Sequence, residues 1–319
     1  MRNLKFVLLN ALVFASVLSV EAQELKAPKI SGLVNGRFSA TDKENTTNGF
    51  DIRRVRLAAD GALHEKLDYK FQAEYETTVK VIDAYFRWKI IPELGVQIGE
   101  YKVPYSQETL YGPATWLTIE NPAAVAKLNG YNDLSGLNAN GRDIGITLYG
   151  DLFKKFISYR VGLFNGNGIN VKDNNDDKDF AGLIWVRPLK ELALTAGLYA
   201  GSYGAKGDEH VRNRFSAGAE YKNSKLTIRS EYLGGNTAGK RSSGVYALVS
   251  YWVTPAIQPV LSFDFFKADR DADERQLNYQ VGVNIVPIKK LRIQAAYTHT
   301  NNKVAKNINL FETQFILHF

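Results

Sequence analysis

Basic side chains recur at alternate positions in many short segments of the chain. Lysine and arginine together number 40, against 33 acidic residues. A guanidinium group stays charged at any pH and offers paired planar donors to phosphate or carboxylate oxygens. The same alternating rows contain Glu74, Asp83 and Glu231, which we expect to oppose the cations. The sequence therefore predicts contacts with small anions. The basic residues expected to make them are Arg54, Arg56, Lys70, Arg87, Lys127, Arg160, Arg214, Arg229 and Arg292.

Groups suited to catalysis or metal binding are sparse. The chain has no cysteine and four histidines, which excludes thiol nucleophiles and cysteine-ligated metals. The stretch 173–177 and the alternating Asp269, Asp271 and Asp273 lack the glycine and final glutamate of an EF-hand. We interpret them as solvated loop tips, with calcium binding as the lesser alternative. No catalytic residue, metal ligand or cofactor is predicted, and the basic residues are too dispersed for nucleic-acid binding.

These side chains belong to β-strands, because apolar and polar residues alternate with a period of two. Leu67, Tyr69 and Phe71 are separated by single polar residues, which places the apolar groups on one face of a strand. The same alternation recurs in about sixteen segments, and no long window shows the spacing of an amphipathic helix. Alternation of this kind predicts strands with one apolar face and one wet face.

The connections between these segments alternate in length. Very short links such as Asn223 and Pro255 are followed by longer polar ones such as 165–177. An even strand number with tight turns at one end is typical of an outer-membrane barrel. The last segment ends on Phe319, as such barrels commonly do, and a lipid-exposed sheet must close on itself. We therefore predict an all-β transmembrane antiparallel β-barrel of about sixteen strands with a water-filled interior.

One connection, 104–140, is far longer than the others and lacks strand alternation. Its place after the fifth strand predicts a constriction loop that folds into the barrel, and Lys127 is its only basic residue. Loops of such length are uncommon unless they are functional. The alternatives are a surface loop or a latch that clasps a neighbouring subunit.

The first 22 residues have the pattern of an export signal. An apolar stretch over 6–20 follows two basic residues, and Val20 and Ala22 occupy the −3 and −1 positions of a cleavage site. We expect cleavage after Ala22, which leaves a single barrel domain over 23–319. Removing two bases and one acid lowers the net charge from +7 to +6. The 17 tyrosines and 17 phenylalanines suit the aromatic belts at membrane interfaces.

Several of these strands resemble the phosphate-selective porin O and P family. The similarity is most specific over 49–106, which includes the motif FDIRRVRL from Phe50 and the motif GEYKVP from Gly99. The resemblance implies a sixteen-stranded barrel in the bacterial outer membrane, usually a homotrimer, in which arginines and lysines lead phosphate toward a constriction. It also implies small anionic solutes, membrane lipid and lipopolysaccharide as partners.

Two other functions remain open from the sequence. Acidic residues on the inward rows are compatible with a weakly selective general diffusion porin, because opposed charges make a transverse field. A barrel hydrolase is the second alternative. It would need a serine beside His299, the histidine expected at the outer rim of a strand, and the sequence places none there.

Overall fold

The computed structural model describes residues 27–129, 132–137 and 140–319. The export signal predicted over 1–22, with cleavage after Ala22, lies outside the described residues. The described chain forms sixteen strands and two short helices. The strands are β1 (Lys29–Thr41), β2 (Gly49–His64), β3 (Leu67–Glu74), β4 (Lys80–Ile91), β5 (Leu94–Lys102), β6 (Arg142–Leu152), β7 (Ile157–Phe164), β8 (Asp179–Leu189), β9 (Leu192–Tyr203), β10 (His210–Lys222), β11 (Leu226–Thr237), β12 (Lys240–Tyr251), β13 (Ile257–Lys267), β14 (Gln276–Ile288), β15 (Leu291–Asn302) and β16 (Ile308–His318). The helices are α1 (Gln107–Leu110) and α2 (Ala123–Leu128).

Each strand pairs with its neighbours in sequence, and β1 pairs antiparallel with β16, so that the sheet closes into a barrel. The pairing of β1 with β16 ends in two backbone hydrogen bonds between Gly32 and Phe319, at 3.0 and 3.1 Å. Closure satisfies the edge amides that a lipid-exposed sheet could not leave unpaired. The predicted antiparallel barrel of sixteen strands is confirmed. In the described part of the chain, the helices are too short to cross a membrane.

Residues along a strand alternate between the outer wall and the interior. On β2, Leu57 is 45% exposed, whereas its neighbours Arg56 and Ala58 are 4% and 5% exposed. On β16, Phe315 and Leu317 point outward. A charged side chain on the lipid face near mid-membrane would cost about 2–4 kcal/mol, which explains why the charged rows face inward.

The two ends of the barrel differ in their connections. At one end, tight turns such as 65–66 and 92–93 join the strands, and we call this the turn end. At the other, which we call the loop end, most connections are longer, as at 165–178 and 268–275, although 238–239 is a two-residue turn. In outer-membrane barrels the short turns face the periplasm.

A β-bulge interrupts the pairing of β1 with β2. Asn35 pairs with Arg54 and Gly36 pairs with Ile52, so Arg53 is the extra residue. A bulge changes the direction of the side chain that it adds. Arg53 and Arg54 are adjacent in sequence, yet both contact the same acidic side chain inside the barrel.

The described residues between 103 and 141, which we call the inner segment, lie inside the barrel and contain α1 and α2. Tyr105, Ala124 and Leu128 are at most 1% exposed and pack with inward-facing side chains of the wall. The segment lies so close to β9 that a Cβ at Gly197 would stand 1.9 Å from the Tyr105 carbonyl oxygen. Glycine at this position lets the backbone of the segment approach the wall.

Candidate functional site

Charged side chains of β11 fasten the start of the inner segment to the wall. Glu231 accepts hydrogen bonds from Ser106 Oγ at 2.8 Å and from the Gln107 backbone nitrogen at 3.0 Å. Arg229 lies 2.6 Å from a carboxylate oxygen of Glu108. All five residues are buried. The predicted residues Arg229 and Glu231 are therefore brought together, and both contact the inner segment.

Two other predicted cations also contact the inner segment. Arg214 forms an ion pair with Asp133 at 3.2 Å, and Arg292 donates to the Trp116 carbonyl oxygen at 2.9 Å. Neither residue lines the two large cavities described below. Their place in an anion path stays a prediction, whereas their contacts with the segment are part of the structure.

Space remains between the inner segment and the opposite wall. A cavity of about 780 Å³, which we call the outer cavity, reaches Thr78 in a connection at the loop end. The basic residues that line it are Arg37, Lys43, Arg53, Arg54, Arg56, Lys80 and Lys127. The acidic residues that line it are Glu74, Glu76, Glu120, Asp264 and Glu312. Seven cations thus face five carboxylates, which leaves a formal charge of +2.

A second cavity, of about 360 Å³, lies toward the turn end, and we call it the inner cavity. Its basic residues are Arg56, Lys70, Arg87, Lys102, Arg142 and Arg160, and its acidic residue is Asp83. Six cations against one carboxylate give a formal charge of +5. Arg56 lines both cavities, which makes it the charged side chain shared by the two spaces.

Several lining cations are paired across neighbouring strands. Arg56 donates two hydrogen bonds to Glu74, both at 3.1 Å, and Arg87 lies 2.8 Å from Asp68. Cross-strand pairs of this kind hold the guanidinium groups in fixed positions along the wall. Six of the predicted cations line the two cavities. They are Arg54, Arg56, Lys70, Arg87, Lys127 and Arg160.

Asp83 is shared by two cations of the inner cavity. Its carboxylate lies 3.0 Å from Arg142 and 3.9 Å from Lys70. Arg160 contacts an aromatic surface, with its guanidinium carbon 5.9 Å from the centre of the Trp185 ring. Together with Glu74 and Asp68, Asp83 brings three carboxylates to the six cations of the inner cavity, which leaves an excess of positive charge.

Glu120 of the inner segment lies against β1 and β2. Its carboxylate accepts hydrogen bonds from Arg53 Nε at 3.0 Å, Arg53 Nη2 at 3.3 Å and Arg37 Nη1 at 3.3 Å, and Arg54 Nη2 is 3.8 Å away. Burial would raise the pKa of Glu120, but the three guanidinium groups outweigh it and hold the pKa below its usual range. The carboxylate is therefore ionised at neutral pH.

Sequence reasoning missed several of these residues. Arg37 stands on the polar row of β1 and could have been found from its alternation. Arg53 could not, because period-two alternation assigns neighbours 53 and 54 to opposite faces unless a bulge is known. Lys102 and Arg142 are backbone partners at the ends of β5 and β6, where these strands meet the inner segment. Glu120 lies within the inner segment, which has no alternation from which the direction of its side chain could be predicted.

His299, the residue considered for a hydrolase, places its Nδ1 2.8 Å from Asn309 Oδ1. In the described residues, no cluster of His, Asp and Glu side chains could hold a metal ion.

A family model described as phosphate-selective porin O and P matches residues 34–191. No curated protein matches the chain.

Solved structures with the same fold include three outer-membrane proteins. The anion-selective porin from Comamonas acidovorans has a TM-score of 0.75 at 14% identity, covering 92% of this chain and 99% of that one. The trimer form of OmpT from Vibrio cholerae has a TM-score of 0.68 at 13% identity, with coverage of 92% and 100%. The outer membrane channel DcaP of Acinetobacter baumannii has a TM-score of 0.66 at 11% identity, with coverage of 92% and 97%.

At these identities the structural likeness shows the barrel fold, and the family match agrees with the motifs found over 49–106. Together they indicate a channel in the bacterial outer membrane rather than an enzyme. The match to the phosphate-selective porin O and P family covers residues 34–191, just under half of the chain.

Proposed function

We propose that the protein is a passive channel for small anions, with phosphate among the solutes that it admits. The observation that supports this proposal is the inner cavity, where six cationic side chains outnumber the three carboxylates that pair with them, those of Asp83, Glu74 and Asp68. Rings of basic side chains select anions by their field and by direct contact with the ion. The comparison with the anion-selective porin from Comamonas acidovorans agrees in fold.

The proposed path runs from the outer cavity past Arg56 into the inner cavity. The inner segment narrows this path, since it packs against β11 to β13 and leaves the outer cavity along β1 to β4 and β13 to β16 and the inner cavity along β1 to β7. Arginines along the path would bind an anion briefly and pass it on, because paired donors are available at each step.

Reversal potentials in planar bilayers test the proposal. With a KCl gradient across the bilayer, we expect the zero-current potential to have the sign of the chloride equilibrium potential, because the positive wall of the inner cavity favours chloride over potassium. We also expect phosphate at millimolar concentration to reduce the chloride current. A zero-current potential of the opposite sign would contradict the anion path, and a chloride current that phosphate leaves unchanged would contradict phosphate as a solute.

A weakly selective diffusion porin is the second candidate. The outer cavity favours it, because five carboxylates there oppose seven cations and would admit ions of either sign. This candidate predicts a zero-current potential close to zero in the same experiment.

We propose that the channel assembles as a homotrimer, for which the trimer form of OmpT from Vibrio cholerae is the support. Its outer wall would contact membrane lipid and lipopolysaccharide, since large apolar side chains such as Leu57, Phe71 and Phe86 are exposed there.

A further inference from the structure

The contacts of Glu120 have the geometry of a bound carboxylate ligand. Arg53 approaches both carboxylate oxygens through two nitrogens, and Arg37 and Arg54 approach one oxygen each. Paired approach of this kind is the arrangement by which guanidinium groups recognise carboxylates. Here the carboxylate belongs to the chain itself.

The three guanidinium groups are held in place by groups other than Glu120. Arg37 binds Asp51 at 2.6 Å and Glu312 at 3.1 Å. The guanidinium of Arg54 lies 4.9 Å from the centre of the Trp116 ring. The bulge fixes where Arg53 leaves the strand. Arg37 is therefore held by two carboxylates of the wall and Arg54 by a ring of the inner segment, so both guanidinium groups have contacts besides Glu120.

Solvent reaches the site from the outer cavity. The Glu120 side chain is 39% exposed, whereas that of Arg54 is 2% exposed. A small solute in the outer cavity would therefore meet the guanidinium groups on the side that Glu120 now occupies.

We propose that Arg37, Arg53 and Arg54 form a carboxylate-binding site that Glu120 occupies as a tethered ligand, and that small carboxylates are the solute class that the site takes. This inference rests on the proposed channel function and names a solute class for it. Glu120 competes with solutes from within the chain, so free carboxylates bind weakly while it is in place.

Charge balance agrees with a carboxylate ligand. Removing Glu120 takes one negative charge away from the three guanidinium groups that contact it, and a monovalent carboxylate restores that charge. Replacing Glu120 by alanine also leaves a space close to the size of acetate, since the lost atoms are a methylene group and a carboxylate.

Acetate rescue of Glu120→Ala tests the site. The purified full-length protein is heated in sodium acetate and in sodium chloride at neutral pH and equal ionic strength. We expect acetate to raise the melting temperature of Glu120→Ala by several degrees relative to chloride, because a ligand that binds the folded state stabilises it by mass action. In bilayers, acetate should also reduce the chloride current of this variant more than that of the wild type.

Two controls separate site occupancy from simple loss of charge. Glu120→Gln removes the charge but fills the space, so we expect no acetate effect. Glu76→Ala removes a carboxylate from the same cavity, and in the described chain Glu76 makes no ion pair with the three guanidinium groups. We expect acetate and chloride to give this variant equal melting temperatures.

An acetate effect in Glu120→Ala no larger than in Glu120→Gln would overturn the proposal, and a larger effect of phosphate than of acetate would overturn the carboxylate class. If Glu120→Ala does not fold in chloride, refolding yield becomes the measurement. Recovery in acetate alone supports the site, and equal failure in both salts contradicts it. The channel proposal fails independently of this site, because its test is the reversal potential of the wild-type protein, which does not depend on the acetate experiments.

Discussion

The inward-facing arginines of this barrel have two different roles: some line the cavities, and others hold the inner segment against the wall. Arg56 is matched by one carboxylate and lines both cavities. Arg229 is held between Glu108 and Glu220, each at 2.6 Å, under the inner segment. An arginine enclosed by two carboxylates contributes little field to a distant ion, because opposite charges at close range cancel. The effect of each arginine on ion flow therefore depends on what lies opposite it.

Replacing Arg56 tests this distinction at the level of one residue. We expect Arg56→Ser to lower the permeability of chloride relative to potassium by roughly twofold or more, since charged side chains at the narrow part of a pore set its selectivity. The measurement is the zero-current potential in a KCl gradient. Arg241→Ser is the matched control, because Arg241 is 61% exposed and pairs with Asp271 outside the two cavities. Equal shifts in both variants would contradict a special role for Arg56.

The sequence predicts that the side chain of Arg56 points into the barrel, but it does not predict the contacts of Arg229. Lipid on one side of a strand and water on the other impose a period of two, which shows as alternation around Arg56. The partner Glu108 lies in the inner segment, 121 residues away in sequence, where no period exists. Arg53 was missed for a different reason, since a bulge has no signature in the alternation itself.

The inner segment is positioned by charged contacts as well as by packing. Glu108 is fully buried and is neutralised by Arg229, while Tyr246 donates a further hydrogen bond at 3.1 Å. A buried carboxylate that loses its partner is strongly destabilising, whereas an exposed pair contributes little. The sequence predicted that this connection enters the barrel, but not which strands hold it.

Removing Arg229 tests how the segment is held. We expect Arg229→Met to cost about 3–5 kcal/mol, because Glu108 and Glu220 then lose their cation. The melting temperature should fall, and single-channel conductance should rise or fluctuate as the segment leaves the wall.

Two further variants serve as controls. Arg241→Met breaks an exposed ion pair and should change stability by about 0–1 kcal/mol. Adding Glu108→Gln to Arg229→Met should recover part of the loss, since the uncompensated charge is removed. If Arg229→Met melts at the same temperature as Arg241→Met, the buried pair does not fasten the segment.

The whole barrel depends on closure between its first and last strands. The pairing of β1 with β16 runs from Leu33 with His318 to Thr41 with Leu310. Closure was predictable because a lipid-exposed edge is not tolerated. The number of subunits was not predictable, since outward-facing apolar side chains can meet either lipid or another barrel.

The proposed trimer is testable by mass. Light scattering of the detergent-solubilised protein, corrected for bound detergent, should give three chains per particle, because an obligate assembly of barrels withstands mild detergent. The same sample after boiling should give one chain. A particle containing one chain before boiling would contradict the homotrimer.

The unequal charges of the two cavities have an electrical consequence. The lining of the inner cavity is more positive than that of the outer cavity, so the fixed charge along the proposed path is asymmetric, and we expect chloride to be enriched in the pore at one polarity of the applied voltage and depleted at the other. Current at equal and opposite voltages would therefore differ in size. The rectification affects conductance under voltage but supplies no energy, so net transport still follows the concentration gradient.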